Sequence, residues 1–519
     1  LNSTPDRAAR IPGRIFQWLL PASLAAFVIA RCAILSGKRL LWADELFSWY
    51  PASASFGSML RATTDTINTA PPLYFVLTWL WAAVFGNSAL SLRLFSAAAV
   101  AAAILIMFAV LRRAYGVLAS TLAIGMTLIG GEMLRQSAEA RFHTLFVAEV
   151  ALGILLYQRL VARPRPPMRL LALNAAAHAC MMMTTYIAAP YSLAIFCATL
   201  LTGLVRRRNP TRACLSIAAG WLVFLPWIPV FLRHLRMGEP SSWVPVPNAT
   251  QLRHYFEGYL ANDFFWPCAA GLAALAAIGT AFAMVWGGRR RRLGPQMREV
   301  PLLMLAPCLA AIPLLIYFWS ILPGRSSLFL ERYMLATLLG WTILCAHLAH
   351  RALLLRHRIE RRWPTRALLI LQVITTIAFL GHGIWKKTNA VLRVEKKGLP
   401  DDVLERIPGN EPIVIGHIHQ FLQWHFYSSQ PSRLLFMVDL ELAIQEGEGE
   451  PLNHRIMAAL HRQFPDQFKE VMETDDFLAS ASTFWVRPSD PWTPVRLENN
   501  PAFVVEPVDW DLMHVRRTR

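Results

Sequence analysis

Apolar runs, each close to the length that crosses a bilayer and most of them separated by short arginine clusters, constrain this chain more than any other feature. A helix rises about 1.5 Å per residue and the hydrocarbon core is about 30 Å thick, so a span needs about 20 apolar residues. By that measure about 11 spans are expected, near 15–35, 90–111, 116–131, 142–160, 169–185, 187–205, 212–232, 264–286, 300–320, 333–350 and 366–385. The first run has no small-residue cleavage site and ends in Arg31, Lys38 and Arg39, so it is expected to be retained. A further apolar piece, 71–86, is only 16 residues, opens on Pro71-Pro72 and closes on Gly86-Asn87. It reads as a helix lying at or dipping into the membrane surface.

Charge divides the chain in two. Residues 1–385 hold 13 Asp and Glu against 36 Lys and Arg, a net +23; residues 386–519 hold 20 against 15, a net −5. A soluble cytosolic enzyme is excluded by the apolar runs. A nucleic-acid binder is excluded because the basic residues sit in clusters between those runs and form no continuous face. The seven cysteines fall in or beside apolar segments and supply neither a disulfide framework nor a CxxC pair.

The clusters also orient the spans, because Lys and Arg accumulate in cytoplasmic loops. Arg7/Arg10/Arg14, Arg112-Arg113, Arg163/Arg165/Arg169, Arg206-Arg207-Arg208, Arg289 to Arg292 and the run from Arg351 to Arg366 would then face the cytoplasm, with the N-terminus. The connections 36–89, 131–141, 184–190, 233–263 and 321–332, and the tail from Lys386, would face out. On this topology Asp44, Glu45, Asp65, Glu132, Glu139, Glu239, Glu257, Asp263 and Glu331 all lie at or near the outer side. The expected organisation is a transmembrane domain, 1–385, and a small extracytoplasmic α/β domain, 386–519. In the latter, strand-like runs (412–415, 434–438, 483–486, 502–505) alternate with helix-like ones (420–427, 453–464).

Three stretches of the outer side could carry chemistry. Asp44 and Glu45 follow Trp42-Ala43 directly after a span; desolvation and mutual repulsion raise a carboxylate pKa, which suits one of them to take a proton. Against this, two loop acids also make an ordinary solvated turn. Ser137-Ala138-Glu139-Ala140-Arg141-Phe142-His143 opens a later span, with Glu139 and His143 on one helix face; the plainer reading is anchoring of a helix end. Glu331-Arg332-Tyr333 places an arginine at a membrane boundary, costly unless it pairs or faces water, and its planar donor fork matches phosphate oxygens. Against this stand an intramolecular pair with Glu331 and a snorkelling side chain. His178, inside a span, reads first as a hydrogen-bonded core histidine, and His417, His419 and His425 lack the Cys or HExxH context of a metal site.

In this order the motifs resemble the multi-span glycosyltransferases of the GT-C fold, in the bacterial branch related to protein O-mannosyltransferases and the lipid A aminoarabinose transferase. The matching pieces are Trp42-Ala43-Asp44-Glu45, Ala70-Pro71-Pro72-Leu73-Tyr74-Phe75, Phe85-Gly86-Asn87-Ser88 through Arg93-Leu94-Phe95-Ser96-Ala97, and Ser137 to Phe142. Leu225-Pro226-Trp227-Ile228-Pro229, Trp243-Val244-Pro245-Val246-Pro247 and Arg332-Tyr333-Met334-Leu335 follow. The resemblance implies an integral inner-membrane enzyme that transfers a sugar from a polyprenyl-phosphate donor to a lipid, glycan or protein acceptor at the outer face, with no nucleic acid involved. Carried over, Asp44 is the catalytic base with Glu45 beside it, and Glu139 with Arg141 is the second-loop acidic motif. Arg332 matches a late basic residue near the carrier phosphate. Arg93, Tyr333, His143 and His178 are further candidates, His143 standing where the family usually has Tyr. A divalent cation, Mg²⁺ or Mn²⁺, is left open.

Other classes fit less well. A transporter or flippase of lipid-linked sugars is expected to show repeats and ionisable residues near the midplane; here the charges collect at one face and no repeat is found. A polymer ligase using a diphosphate carrier and an inactive scaffold complete the set of rival classes.

Overall fold

The computed structural model describes residues 10–65, 67–237, 244–256, 297–324 and 326–358. Beyond these it describes 378, 381–382, 384–386, 388–390, 392–393, 401–405, 407, 409–446, 450–488, 492–509 and 512–518. The expected spans 264–286 and, apart from a few residues, 366–385 lie outside the described residues, as do Glu239, Trp243, Glu257 and Asp263.

Seven segments among the described residues are long and apolar enough to cross a membrane: Gln17–Ser36, Ala89–Tyr115, His143–Val161, Ala188–Val205, Thr211–Met237, Val300–Ser320 and Glu331–Arg351. The protein is therefore a multi-pass membrane protein. The run expected to span 169–185 forms the 17-residue helix Met168–Thr184. The run expected at 116–131 is shorter than anticipated: Val117–Leu128 has 12 residues, about 18 Å of rise. Ile129-Gly130 separates it from the short helix Gly131–Gln136. From Ala119 to Leu128 every side chain is buried, so protein rather than lipid surrounds this piece. The run 71–86, expected to lie at or dip into the membrane surface, forms the helix Leu73–Phe85, whose 13 residues rise about 20 Å, short of the hydrocarbon thickness.

The chain divides into two compact units. The first comprises residues 1–35, 93–225 and 246–394, and the spans pack there around one apolar core that includes Val28, Ile104, Phe108, Ile154, Tyr191, Leu305 and Leu339. Gly116, at φ +81°, lets Ala89–Tyr115 turn directly into Val117–Leu128. Within this unit the connections segregate along the helix His143–Val161. Residues 131–141 and 331–337 meet at its N-terminal end, and the arginine-rich connections after Val161 and Val205 meet at its C-terminal end.

The second unit comprises 36–92, 226–245 and 395–519. The sequence boundary at 385 isolates the tail; this unit also takes in the connection 36–92 and residues 226–245. Its sheet has the order β3-β2-β1-β4-β6-β5, with β1 Ile413–Ile415, β2 Leu434–Val438, β3 Val471–Glu473, β4 Thr483–Arg487, β5 Phe503–Asp509 and β6 Leu512–Arg517. The first four strands are parallel and the last two pair antiparallel. β1 and β2 are buried throughout, as parallel strands covered on both faces must be. A single core joins the tail to the first connection: Leu41, Leu46, Phe47 and Tyr50 pack with Phe421, Leu422, Phe464 and Phe468.

Candidate active site

In the second unit, the helix Ala43–Ser53 begins at the paired acids. Trp42 is extended at its N-cap, and the Trp42 backbone N–H donates to Glu45 Oε2 at 3.3 Å. Asp44 and Glu45 thus occupy the first turn, where the helix dipole favours negative charge. Both are buried, Glu45 completely and Asp44 with 8% of its surface left exposed. The Glu45 carboxylate closes the helix end, and Asp44 beside it is the less completely buried of the two.

The tail holds this turn in place. The Tyr427 hydroxyl accepts from Leu41 N at 2.8 Å, the Gln423 side-chain amide donates to Leu41 O at 2.9 Å, and the His419 ring stacks on Trp42 at 6.0 Å. Farther along the same connection Asp65 accepts from Arg462 at 3.0 Å and Gln463 at 2.9 Å, and His234 meets its carbonyl at 2.9 Å. Trp79 and Trp81 donate their indole N–H groups to Ala54 O and Ser91 O, which seats Leu73–Phe85 beside the same connection. Sequence reasoning missed Gln423 and Tyr427. Their signal was weak: polar residues on one helix, Ile418–Tyr427, whose other face is apolar.

In the first unit, the second-loop motif is a buried acid among guanidinium groups. Glu139 is 2% exposed, and its carboxylate lies 3.8 Å from the Arg135 guanidinium. Arg135 also grips Glu132 through two bonds of 2.7 Å. Burial works against the Arg135 charge, but the hydrogen bond and charge of Glu132, with Glu139 and Glu331 behind them, more than offset it and raise its pKa. Glu331 therefore joins this group, and its neighbour Tyr333 brings its ring 5.7 Å from that of buried His143. The positive charges of Arg141, Arg332 and Arg135 all bear on His143. Ser96, three residues past buried Arg93, donates to Arg141 O at 3.4 Å, so the start of Ala89–Tyr115 abuts the same loop.

Of the candidates from sequence, Glu139, Arg141, His143, Arg332 and Tyr333 thus gather in the first unit, with Arg93's helix against them. Asp44 and Glu45 stand in the second unit. His178 belongs elsewhere in the first unit: its Nδ1 pairs with Ser192 Oγ at 2.7 Å, and Trp221 donates to the same hydroxyl at 2.7 Å. It is a core histidine tying spans together. Glu149, inside the span His143–Val161, accepts from Thr184 Oγ1 at 2.8 Å. The tail histidines are taken by packing and pairing, with His425 at 3.2 Å from Glu470 and stacked on Phe468. Among the described residues no three His, Cys, Asp or Glu side chains are grouped to hold a metal ion.

The family described as dolichyl-phosphate-mannose-protein mannosyltransferase matches residues 69–231, a stretch that contains Arg93, Glu139, Arg141 and His143. No curated protein sequence matches the chain. The crystal structure of ArnT from Cupriavidus metallidurans in the apo state aligns with a TM-score of 0.54 at 14% identity, covering 97% of this chain and 98% of that one. ArnT from the same organism bound to undecaprenyl phosphate aligns at 0.49 and 15% identity, covering 96% and 97%. The chain therefore has the fold of ArnT along nearly its whole length and resembles the polytopic glycosyltransferases of the GT-C fold.

Proposed function

We propose that this protein is an inner-membrane glycosyltransferase that moves a sugar from a polyprenyl-phosphate carrier to an envelope acceptor at the outer face, its N-terminus cytoplasmic and its tail extracytoplasmic. The observation that carries this reading is the family match over 69–231, which contains the buried acid-and-arginine loop and is described by a lipid-phosphate sugar donor. The ArnT fold agrees with it.

The chemistry follows from the side chains. A lipid phosphate leaves already anionic, so departure calls for cations that hold the developing charge, not for a strong acid. Arg332, Arg141 and Arg93 fill that role, with Glu139 and Arg135 fixing the loop that carries Arg141. The acceptor hydroxyl needs a base at the attack face, and Asp44 is that base. Glu45 holds the turn from which it acts. In a single displacement the acceptor oxygen bonds to the anomeric carbon as the carbon–phosphate oxygen bond breaks. The proton goes to Asp44, the electron pair leaves with the phosphate, and the anomeric configuration inverts. This reading requires Asp44, Glu139 and Arg332 to face one aqueous compartment.

The test is incubation of the purified protein with a radiolabelled polyprenyl-phosphate sugar and envelope extract. Label appearing in an acceptor with inverted configuration is expected. Movement of labelled lipid across vesicles without any transfer would replace the enzyme with a flippase.

A further inference from the structure

A cavity of about 250 Å³ in the first unit lies at the far end of His143–Val161 from the acid-and-arginine loop. Leu160 and Val161 line it, 18 residues and thus about 27 Å along the helix from His143. Its fifteen lining residues include Arg163, Arg165, Arg206, Arg208 and Arg212 and no acid. Five arginines with no acid among them make the concavity positive, and an anion placed there is favoured.

Arg163, Arg165, Arg208 and Arg212 are exposed and Arg206 is partly buried, and the backbone that carries Arg206 and Arg208 is fixed. The helix Ala188–Val205 ends in a reverse turn in which Arg208 N donates to Gly203 O at 2.8 Å and Arg207 N to Leu204 O at 3.1 Å. Arg207 takes the left-handed position, φ 51°, that glycine usually fills, and this places Arg206 and Arg208 on either side of it. Gly203 lies at the floor, where a Cβ would stand 2.8 Å from Pro210. Arg206 donates to Val161 O at 3.1 Å and to Met297 O, which ties three connections together at the pocket wall. Its buried Nε has no partner among the described residues. Burial, together with the charge of Arg208, lowers the Arg206 pKa.

We infer that this cavity binds the phosphate headgroup of an anionic membrane phospholipid on the face opposite the acid-and-arginine loop. Its volume lies below the roughly 300–1,000 Å³ of a site that encloses a drug-sized ligand, so it takes a headgroup and leaves the acyl chains outside. Apolar surface stands ready for those chains, because Leu204 and Val205 just before the turn, and Met168 just after Pro166-Pro167, are more than half exposed. Basic pockets between spans recognise phospholipid headgroups in this way. Free phosphate offers the same chemistry but gains nothing from the apolar rim.

The experiment is native mass spectrometry of the full-length protein in detergent, with phosphatidylglycerol, cardiolipin, phosphatidylcholine or inorganic phosphate added. Retention of the two anionic lipids is expected, at least tenfold above phosphatidylcholine. Arg163→Gln with Arg212→Gln should remove it at least tenfold, while Arg113→Gln with Arg169→Gln, an equal change of charge outside the pocket, should stay within twofold of wild type. Equal loss in both double variants, undiminished retention in the first, or displacement of the lipid by millimolar inorganic phosphate would each overturn the assignment. Because no residue of the proposed transfer site is altered, sugar transfer reports separately on the preceding reading.

Discussion

Glu45 in the second unit accepts from the Trp42 backbone N–H at the start of a helix, whereas Glu139 in the first unit lies 3.8 Å from the Arg135 guanidinium, beside a loop rich in arginine. The turn that carries Glu45 is tied by hydrogen bonds of Tyr427 and Gln423 with Leu41, nearly four hundred residues away in the chain. The Glu139 site is made of charges supplied mostly by the same loop and its neighbour, and Arg135 within it is half exposed. The difference fits two tasks. The base role proposed for Asp44 calls for a fixed position, and the hydrogen bonds of Tyr427 and Gln423 with Leu41 fix the start of its helix. A phosphate site needs an excess of positive charge, and a buried acid among arginines keeps those arginines oriented.

The largest expected effect comes from the second unit. Asp44→Asn should lower sugar transfer about 10²- to 10⁴-fold, the usual contribution of a general base, with expression and donor binding unchanged; activity like that of the wild type in the radiolabel assay would strip Asp44 of its role. Next, Arg332→Ala in the first unit should weaken donor affinity about ten- to a hundredfold, as loss of a charged hydrogen bond does, and leave the acceptor KM within twofold. An effect on acceptor alone would erase the contrast between the two regions.

Acid should act on the second unit through His454, which is buried against β2 and accepts from Asp439 N at 3.0 Å. Burial lowers its pKa to about 4, partly countered by the charge of Asp439. A depressed folded pKa means that the unfolded chain binds the extra proton first. This contribution is therefore complete above pH about 6.5 and declines as pH falls toward 4, by at most about 3 kcal/mol. Melts of the full-length protein followed by tryptophan fluorescence between pH 7 and 4 should show the decline, and His454→Gln should flatten it. An unchanged slope in that variant would assign the acid sensitivity to other groups.

The smallest effect is expected from Tyr427→Phe, which deletes one hydrogen bond to Leu41 N and should cost about 1 kcal/mol. If the tail positions Asp44, kcat should fall several-fold with donor binding unchanged. A fall in thermal stability with kcat intact would make the tail a support and nothing more.

Much of the fold was legible because its signals are local. Seven of the expected spans appear, and four strands and two helices of the tail lie within a few residues of their expected places. The run 116–131 was read as longer than it is because apolar composition alone does not register that the helix ends at Leu128, before Ile129-Gly130. β3 was missed because its three residues, Val471-Met472-Glu473, end on a charge and carry no apolar run, and β6 because two arginines close a short run that is held between β4 and β5. At the site, the residue types of Asp44 and Glu139 were readable, but not their partners. Arg135 and Glu132 looked like ordinary loop charges, and Tyr427 carries no local mark of its bond to Leu41.

The sequence by itself determined that this chain lives in a membrane, that its basic connections alternate with acid-bearing ones, and that an α/β tail follows. Those outcomes rest on segment length, hydropathy and the cost of placing charge in hydrocarbon, all of which act within a short window of residues. Only the tertiary structure decided that the tail clamps the first connection and that five arginines from two connections surround one cavity. Such pairings depend on how whole helices pack, and packing is a property of surfaces that no local window contains.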